Sequence, residues 1–251
     1  MHKPSDAMLE IVLHKEINLR GYTLIEGFPG VGLVGPMAAS YIIEKLGMAS
    51  IGHIESDLFP PIAAVHDGVP MHTARLYADS KNKLVVVLSE FTIPQSVVYQ
   101  LAEELLSFVR KNGIKEIVSI GGMPSEKPTD TAYVISSQPD VAKRVIREGL
   151  KPVREGVIAG VSALLITEAK EFNIPTTDVL VEVNPLIMDP KYAEVAIGGL
   201  SKLLGIVVDT EELEEEAKEV EARVREMLKQ AKSSHEHYSK AAEEVGPPSV
   251  A

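Results

Sequence analysis

The sequence predicts an α/β protein with three layers and a mainly parallel sheet, followed by a helical extension at the carboxyl end. Strand-like and helix-like segments alternate along most of the chain, which is the order found in sheets covered by helices. Two continuous apolar runs, residues 84–88 and 117–120, are typical of strands buried on both faces. The turn signal at residues 67–70 predicts an antiparallel hairpin at the edge of the sheet.

Each element is predicted from its own periodicity and from the residues that stop it. The predicted strands are residues 9–13, 22–25, 51–54, 62–66, 71–77, 84–88, 117–120, 133–136 and 178–183. The predicted helices are residues 36–46, 95–111, 139–148, 161–172 and 190–204. Gly47, Gly113 and Gly205 follow three of these helices, as expected of residues that end a helix.

Composition and charge exclude several classes of function. The chain of 251 residues has no cysteine, which rules out disulfides, thiolate metal sites and thiol catalysis. Its formal net charge of -11 disfavours nucleic-acid binding, which requires cations against phosphates. No apolar run reaches the roughly 18 residues that a membrane span needs, and no apolar signal region follows the first residues. We therefore expect a soluble cytoplasmic protein that binds neither nucleic acid nor membranes.

The acidic charge is concentrated in the last part of the chain. Residues 209–251 contain 12 acidic and 6 basic residues, whereas residues 1–208 contain 24 acidic and 19 basic residues. This shift predicts an α/β domain at residues 1–208, an acidic helix at 209–245 and a disordered tail at 246–251.

The predicted acidic helix carries an apolar seam. Its members recur at alternating spacings of four and three, which is a heptad pattern. They are Leu213, Ala217, Val220, Val224, Met227 and Ala231. Two interpretations remain open, because the helix can pack on its own domain or against another copy or a partner.

A glycine-rich segment at residues 27–35 joins the second strand to the first helix. Gly30, Gly32 and Gly35 satisfy the G-x-G-x-x-G pattern of dinucleotide-binding turns. Pro29 removes a backbone donor at the start of that turn, and the residues after it are apolar. The alternatives are therefore a nucleotide- or nucleoside-binding protein or enzyme that uses this loop, and a tight turn whose glycines permit close packing.

The residue types that carry catalysis or bind metals do not form a recognisable arrangement. The candidates are scattered: His53, His66, His72, Ser119, Ser125, Ser162, Glu90, Glu168 and Asp189. None has the spacing of a zinc site or of a nucleophile elbow. We predict no catalytic, cofactor-binding or metal-binding residues. The loop at residues 123–130 follows a buried strand at the end where α/β sheets bind ligands, so a vestigial ligand pocket there is an open hypothesis.

The glycine segment and the apolar helix after it resemble the opening motif of the proteasome assembly chaperone family, in its archaeal branch. The likeness continues at Gly121-Gly122, at residues 160–169 and at Asp189-Pro190 before the last helix. It extends from about residue 9 to about residue 221.

This resemblance implies a fold related to the nucleoside phosphorylases without their catalytic residues, and self-association into homo-oligomers. It also implies a chaperone, scaffold or adaptor role toward proteasome subunits or another protein client. The oligomer or partner interface would include the seam and the residues of the family motif: Gly27, Phe28, Pro29, Gly30, Gly32, Leu33, Val34 and Gly35. Some relatives end in a hydrophobic-Tyr-any tripeptide that docks on the proteasome. This chain ends in Ser249-Val250-Ala251, so the client stays open.

Overall fold

The computed structural model describes residues 8–14, 16–211 and 213. Its strands are β1 (Leu9–Leu13), β2 (Thr23–Gly27), β3 (Ala49–Ser56), β4 (Ala64–His66), β5 (Val69–Met71), β6 (Ala74–Asp79), β7 (Leu84–Ser89), β8 (Glu116–Pro124), β9 (Ala132–Ser136), β10 (Lys151–Pro152) and β11 (Thr176–Val183). Its α-helices are α1 (Val34–Lys45), α2 (Val98–Asn112), α3 (Pro139–Arg147), α4 (Val161–Glu168) and α5 (Pro190–Leu204). Among these described residues, no helix is both long and apolar enough to cross a membrane.

The main sheet has nine strands in the order β1-β3-β6-β7-β2-β8-β11-β9-β10. Strands β7, β2, β8 and β11 form a parallel centre, because β2 pairs in parallel with β7 and β8, and β8 with β11. Strands β1, β3 and β6 flank this centre in antiparallel pairings, and β9 runs antiparallel to β11. The prediction of a mainly parallel sheet is therefore wrong, and the sheet is mixed.

The predicted edge hairpin is also different in detail. Strands β4 and β5 pair with each other in a separate two-stranded sheet, whereas β6 belongs to the main sheet. Asp67 and Gly68 connect β4 and β5 with positive φ angles of 51° and 77°, the backbone of a two-residue hairpin turn. The predicted strand at residues 71–77 is thus divided between two sheets.

Helices cover the main sheet on both faces, which gives the three layers that the sequence predicted. Alternate residues of a strand point to opposite faces, and β7 shows this directly. Leu84, Val86 and Leu88 pack in the core that contains α1 and α5. Val85 and Val87 pack in the core that contains α2 and α4. Residues 84–88 of β7 are consequently apolar without interruption, as the sequence indicated.

The helix ends agree with the local sequence signals. Asp189 precedes α5, and its side chain accepts a hydrogen bond from the Lys191 backbone N–H at 2.9 Å. Gly205 ends α5 with a φ of 68°, a conformation that glycine adopts without strain. The predicted helix at residues 161–172 is divided into α4 and one following 3₁₀ turn, Ala169–Phe172.

The start of the predicted tail is attached to the domain. The Tyr41 hydroxyl donates a hydrogen bond to the Asp209 carbonyl oxygen at 2.7 Å, and Leu213 is buried in the core formed with α1 and α5. The first seam residue therefore packs on its own domain. The other seam residues, Ala217, Val220, Val224, Met227 and Ala231, lie outside the described residues. The domain limits at 208, 245 and 251 stay predictions.

Candidate functional site

A crevice of about 700 Å³ opens at the carboxyl ends of β2 and β8. The turn after β2 forms one wall through Phe28 and Pro29. The loop that leads into α4 forms the opposite wall, including Val157 and the first helical residue, Val161. Its walls are mainly apolar, and its size falls in the range of pockets that hold small molecules. The carboxyl ends of parallel strands are where α/β sheets place ligands.

Glu26 lies at the floor of this crevice and begins a row of three buried polar residues across the sheet. Ser119 on β8 is in register with Glu26 on β2, and Asp178 on β11 is in register with Ser119. Residues in register point to the same face of a sheet, and neighbouring strands lie about 4.8 Å apart. We call Glu26, Ser119 and Asp178 the acidic row.

Burial raises the pKa of both carboxyls in the acidic row. It raises the pKa of Glu26 to about 7, although the Phe28 backbone N–H, which donates to Glu26 Oε1 at 2.8 Å, acts in the opposite direction. Burial, reinforced by the nearby charge of Glu26, raises the pKa of Asp178 to about 8. Ser119 lies near enough to lower the pKa of each carboxyl, yet neither its hydroxyl nor the Asp178 carboxyl oxygens have a well-directed hydrogen-bond partner among the described residues. At neutral pH, the row therefore holds protons that ordinary carboxyls would have released.

The glycine loop is closely packed against the sheet. A Cβ on Gly35 would lie 2.6 Å from the Phe28 carbonyl oxygen and 3.0 Å from the Ile120 carbonyl oxygen. Gly32 has a φ of 70°, and a Cβ there would lie 3.0 Å from the Val183 side chain. These glycines therefore allow α1 and its entry turn to approach the backbone of the sheet. This packing weakens the dinucleotide interpretation, because Gly32 and Gly35 lie against other parts of the protein and leave no room there for a pyrophosphate.

The structure distributes the predicted interface residues between core and surface. Phe28, Leu33 and Val34 are buried within their own domain, and so are Gly27 and Gly35. Gly30 is exposed, whereas Pro29 and Gly32 are partly accessible. An interface at this motif would therefore use the turn around Pro29 and Gly30 rather than the three large apolar side chains. The role of the motif in contacts between chains stays a prediction.

Glu90, a candidate from the sequence, belongs to a second buried polar cluster. The Arg75 guanidinium donates two hydrogen bonds to its carboxylate, at 2.9 and 3.1 Å. His66 Nε2 lies 2.9 Å from Glu90 Oε1. Burial opposes the charge on Arg75, but Glu90 keeps the pKa of the guanidinium above its ordinary value. We call Arg75, Glu90 and His66 the paired cluster.

Other sequence candidates have structural or surface positions. Glu168 is the exposed last residue of α4, and Ser162 lines the crevice at the start of that helix. The rings of His53 and His72 stack with centroids 3.6 Å apart. No group of three or more His, Cys, Asp or Glu within the described part of the chain could hold a metal ion.

Sequence reasoning missed the two carboxyls of the acidic row. Glu26 stands near the end of a buried strand immediately before the glycine loop, and Asp178 stands inside another buried strand. A carboxylate within a strand buried on both faces is rare unless it is paired. The two carboxylates within these strands were therefore the sequence signal that could have indicated a buried acidic site. The ligand-pocket hypothesis agrees with the structure in position, because Met123 and Pro124 at the end of β8 line the crevice.

The fold and the crevice together define the class of protein. The chain is an α/β protein with a nine-stranded mixed sheet, a glycine-packed turn after β2 and an acidic residue under a crevice at the strand ends. The sequence pattern described as the PAC2 family matches residues 24–228, so the chain belongs to the PAC2 family. The family match confirms the resemblance to proteasome assembly chaperones that the glycine motif indicated.

Solved structures show the same relationship. The chain is 27% identical to Pyrococcus furiosus PbaA, an archaeal homolog of proteasome-assembly chaperone, with a TM-score of 0.80 over 91% of this chain and 100% of PbaA. It is 25% identical to Pyrococcus furiosus PbaB, an archaeal proteasome activator, with a TM-score of 0.72 over 87% of this chain and 98% of PbaB. It is also 26% identical to the uncharacterized protein MJ0106 of Methanocaldococcus jannaschii, over 88% of this chain and 92% of that protein.

Proposed function

We propose that this protein is a non-enzymatic, self-associating chaperone or scaffold whose client is a protein, with proteasome subunits as the first candidates. The observation that carries this proposal is the likeness to PbaA along the whole length of that chain. The relation to PbaB, a proteasome activator, supports the same class of client. Both relatives are at least a quarter identical to this chain, so the likeness extends beyond fold.

Two features of the chain support a role in protein contacts. The domain exposes several large apolar side chains, among them Val157, Leu186 and Val207, which are each at least 89% exposed. The second feature is the heptad spacing after Leu213, which predicts an apolar seam flanked by acidic and basic residues.

Self-association through the seam is the part of this proposal that truncation tests. The chain should be shortened after Leu213, which keeps the buried Leu213 and the Tyr41–Asp209 hydrogen bond. We expect the shortened protein to remain folded, to form a smaller oligomer in light scattering and to bind its client more weakly. Unchanged oligomer size together with unchanged client binding would refute a role for the seam.

A matched pair of substitutions separates the seam from the rest of the predicted helix. Val224→Asp places a charge in the seam. Ala222→Asp places the same charge two residues away, on the face of the predicted helix opposite to the seam. We expect only Val224→Asp to reduce the oligomer. Capture of proteasome subunits by the full-length protein, measured with purified subunits, tests the client, and failure of capture by a correctly folded oligomer would require another client.

A further inference from the structure

The crevice beside Glu26 has the properties of a small-molecule site that neither the family match nor the proposed scaffold role assigns. Its volume of about 700 Å³ is enough for a drug-sized molecule, and its walls are mainly apolar. Gly121 follows Ser119 by two residues and so faces the same side of the sheet, where it lines the crevice. A Cβ at Gly121 would touch only the Leu180 side chain, so the absent side chain keeps the floor of the crevice open.

The charges of the crevice restrict what it can bind. Glu26 and Glu155 are the charged residues among its described lining, and both are acidic. No described Lys, Arg or His side chain lines it, so a phosphate or carboxylate ligand would find no cationic side chain there. The lining therefore favours a neutral or cationic molecule over a nucleotide.

The acidic row gives a specific reason to prefer a cation. Glu26 is buried at 3% exposure, and no Lys or Arg ion pair compensates it among the described residues. Asp178, one strand beyond Ser119, adds a second buried carboxyl whose oxygens have no hydrogen-bond partner in the described chain. A buried carboxylate is costly unless it is paired, so Glu26 keeps a proton while it has no cation beside it. An ammonium group on a ligand would stabilise the ionised form, and Glu26 would release its proton on binding.

We propose that this crevice binds a small molecule with an apolar body and a primary or secondary amine, with the ammonium group against the Glu26 carboxylate. The apolar body lies between Phe28 and the segment around Val157, which both line the crevice. The proposal goes beyond the scaffold function and is independent of it, because the crevice lies within one chain.

Isothermal calorimetry with amines and their matched acids tests this proposal. Hexylamine and phenethylamine serve as probes, and hexanoate and phenylpropionate have similar apolar bodies with the opposite charge. We expect at least one amine to bind with a Kd below about 1 mM and at least tenfold more tightly than its matched acid. Failure of both amines to bind, or equal binding of the acids, would overturn the proposal.

Variants then locate the binding. Glu26→Gln removes the charge and keeps an oxygen that can accept the Phe28 N–H, and it should weaken amine binding at least tenfold. Gly121→Val places a side chain at the floor of the crevice and should also weaken amine binding. Glu44→Gln, which removes the same charge from the exposed surface of α1, is the matched control and should leave the affinity unchanged. Full amine affinity in Glu26→Gln, with thermal unfolding confirming that the variant is folded, would contradict the site.

Discussion

Two buried carboxyls on neighbouring strands have opposite surroundings. Glu90, just after β7, is 3% exposed and is paired with Arg75 and His66. Glu26, at the end of β2, is also 3% exposed, but its neighbours across the sheet are Ser119 and a second carboxyl, Asp178. Equal burial is therefore accompanied by a compensated charge at Glu90 and by a carboxyl without a cationic partner, which holds its proton, at Glu26. The paired cluster is structural, whereas Glu26, the member of the acidic row that lines the crevice, is a carboxyl that a cationic ligand can reach.

The largest expected effect breaks the paired cluster. Arg75→Met leaves the Glu90 carboxylate buried without its cation, and removing one partner of a buried ion pair costs about 3–5 kcal/mol. We expect the free energy of unfolding at pH 7 to fall by that amount in chemical denaturation. The double variant Arg75→Met/Glu90→Met removes both charges and should regain much of the loss. A single variant as stable as the parent would show that Glu90 is not held by Arg75.

A second effect concerns the acidic row and depends on pH. Because burial raises the pKa of Glu26 from 4.5 to about 7, its folded carboxyl keeps a proton that the unfolded chain has already lost. The protein should therefore lose stability as the pH rises through this window, and the loss from Glu26 should reach about 3 kcal/mol above pH 8. Glu26→Gln lacks this titration.

The measurement is chemical denaturation of the parent protein and of Glu26→Gln at a series of pH values. The stability of the variant relative to the parent should increase between about pH 4.5 and pH 8 and then level off. Asp178→Asn should show the same sign over a wider window that ends at a higher pH, because the pKa of Asp178 is raised from 3.8 to about 8. A difference that does not change with pH would show that Glu26 titrates as an ordinary carboxyl.

The smallest of the three effects concerns the glycine loop that borders the crevice. Gly35→Ala would place a Cβ 2.6 Å from the Phe28 carbonyl oxygen, so the turn must shift, at a cost of about 1–3 kcal/mol. Gly30→Ala is the matched control, because its Cβ would meet nothing within 4 Å and its φ of -139° suits any residue. Equal stability of the two variants in thermal unfolding would contradict a packing role for this loop.

The sequence predicted the central elements well, because their signals are local. The apolar run of β7 and the stop at Gly113 each depend on adjacent residues. The direction of strand pairing was not predicted, since it depends on partners far apart in the chain, such as β3 with β6. The acidic row was missed for the same reason. Glu26, Ser119 and Asp178 become neighbours only through the register of three strands, so a carboxylate within one strand does not by itself reveal the row.

The central claim, that the acidic row holds protonated carboxyls at neutral pH, can be measured directly by infrared difference spectroscopy of the full-length protein. The C=O stretch of protonated carboxyls should persist at pH 6–7 and disappear between about pH 7 and pH 9, the range of the raised pKa values. The signal should decrease in Glu26→Gln and in Asp178→Asn, and it should remain in Glu44→Gln. Absence of protonated carboxyl above pH 6, or a signal unchanged in both row variants, would contradict the account.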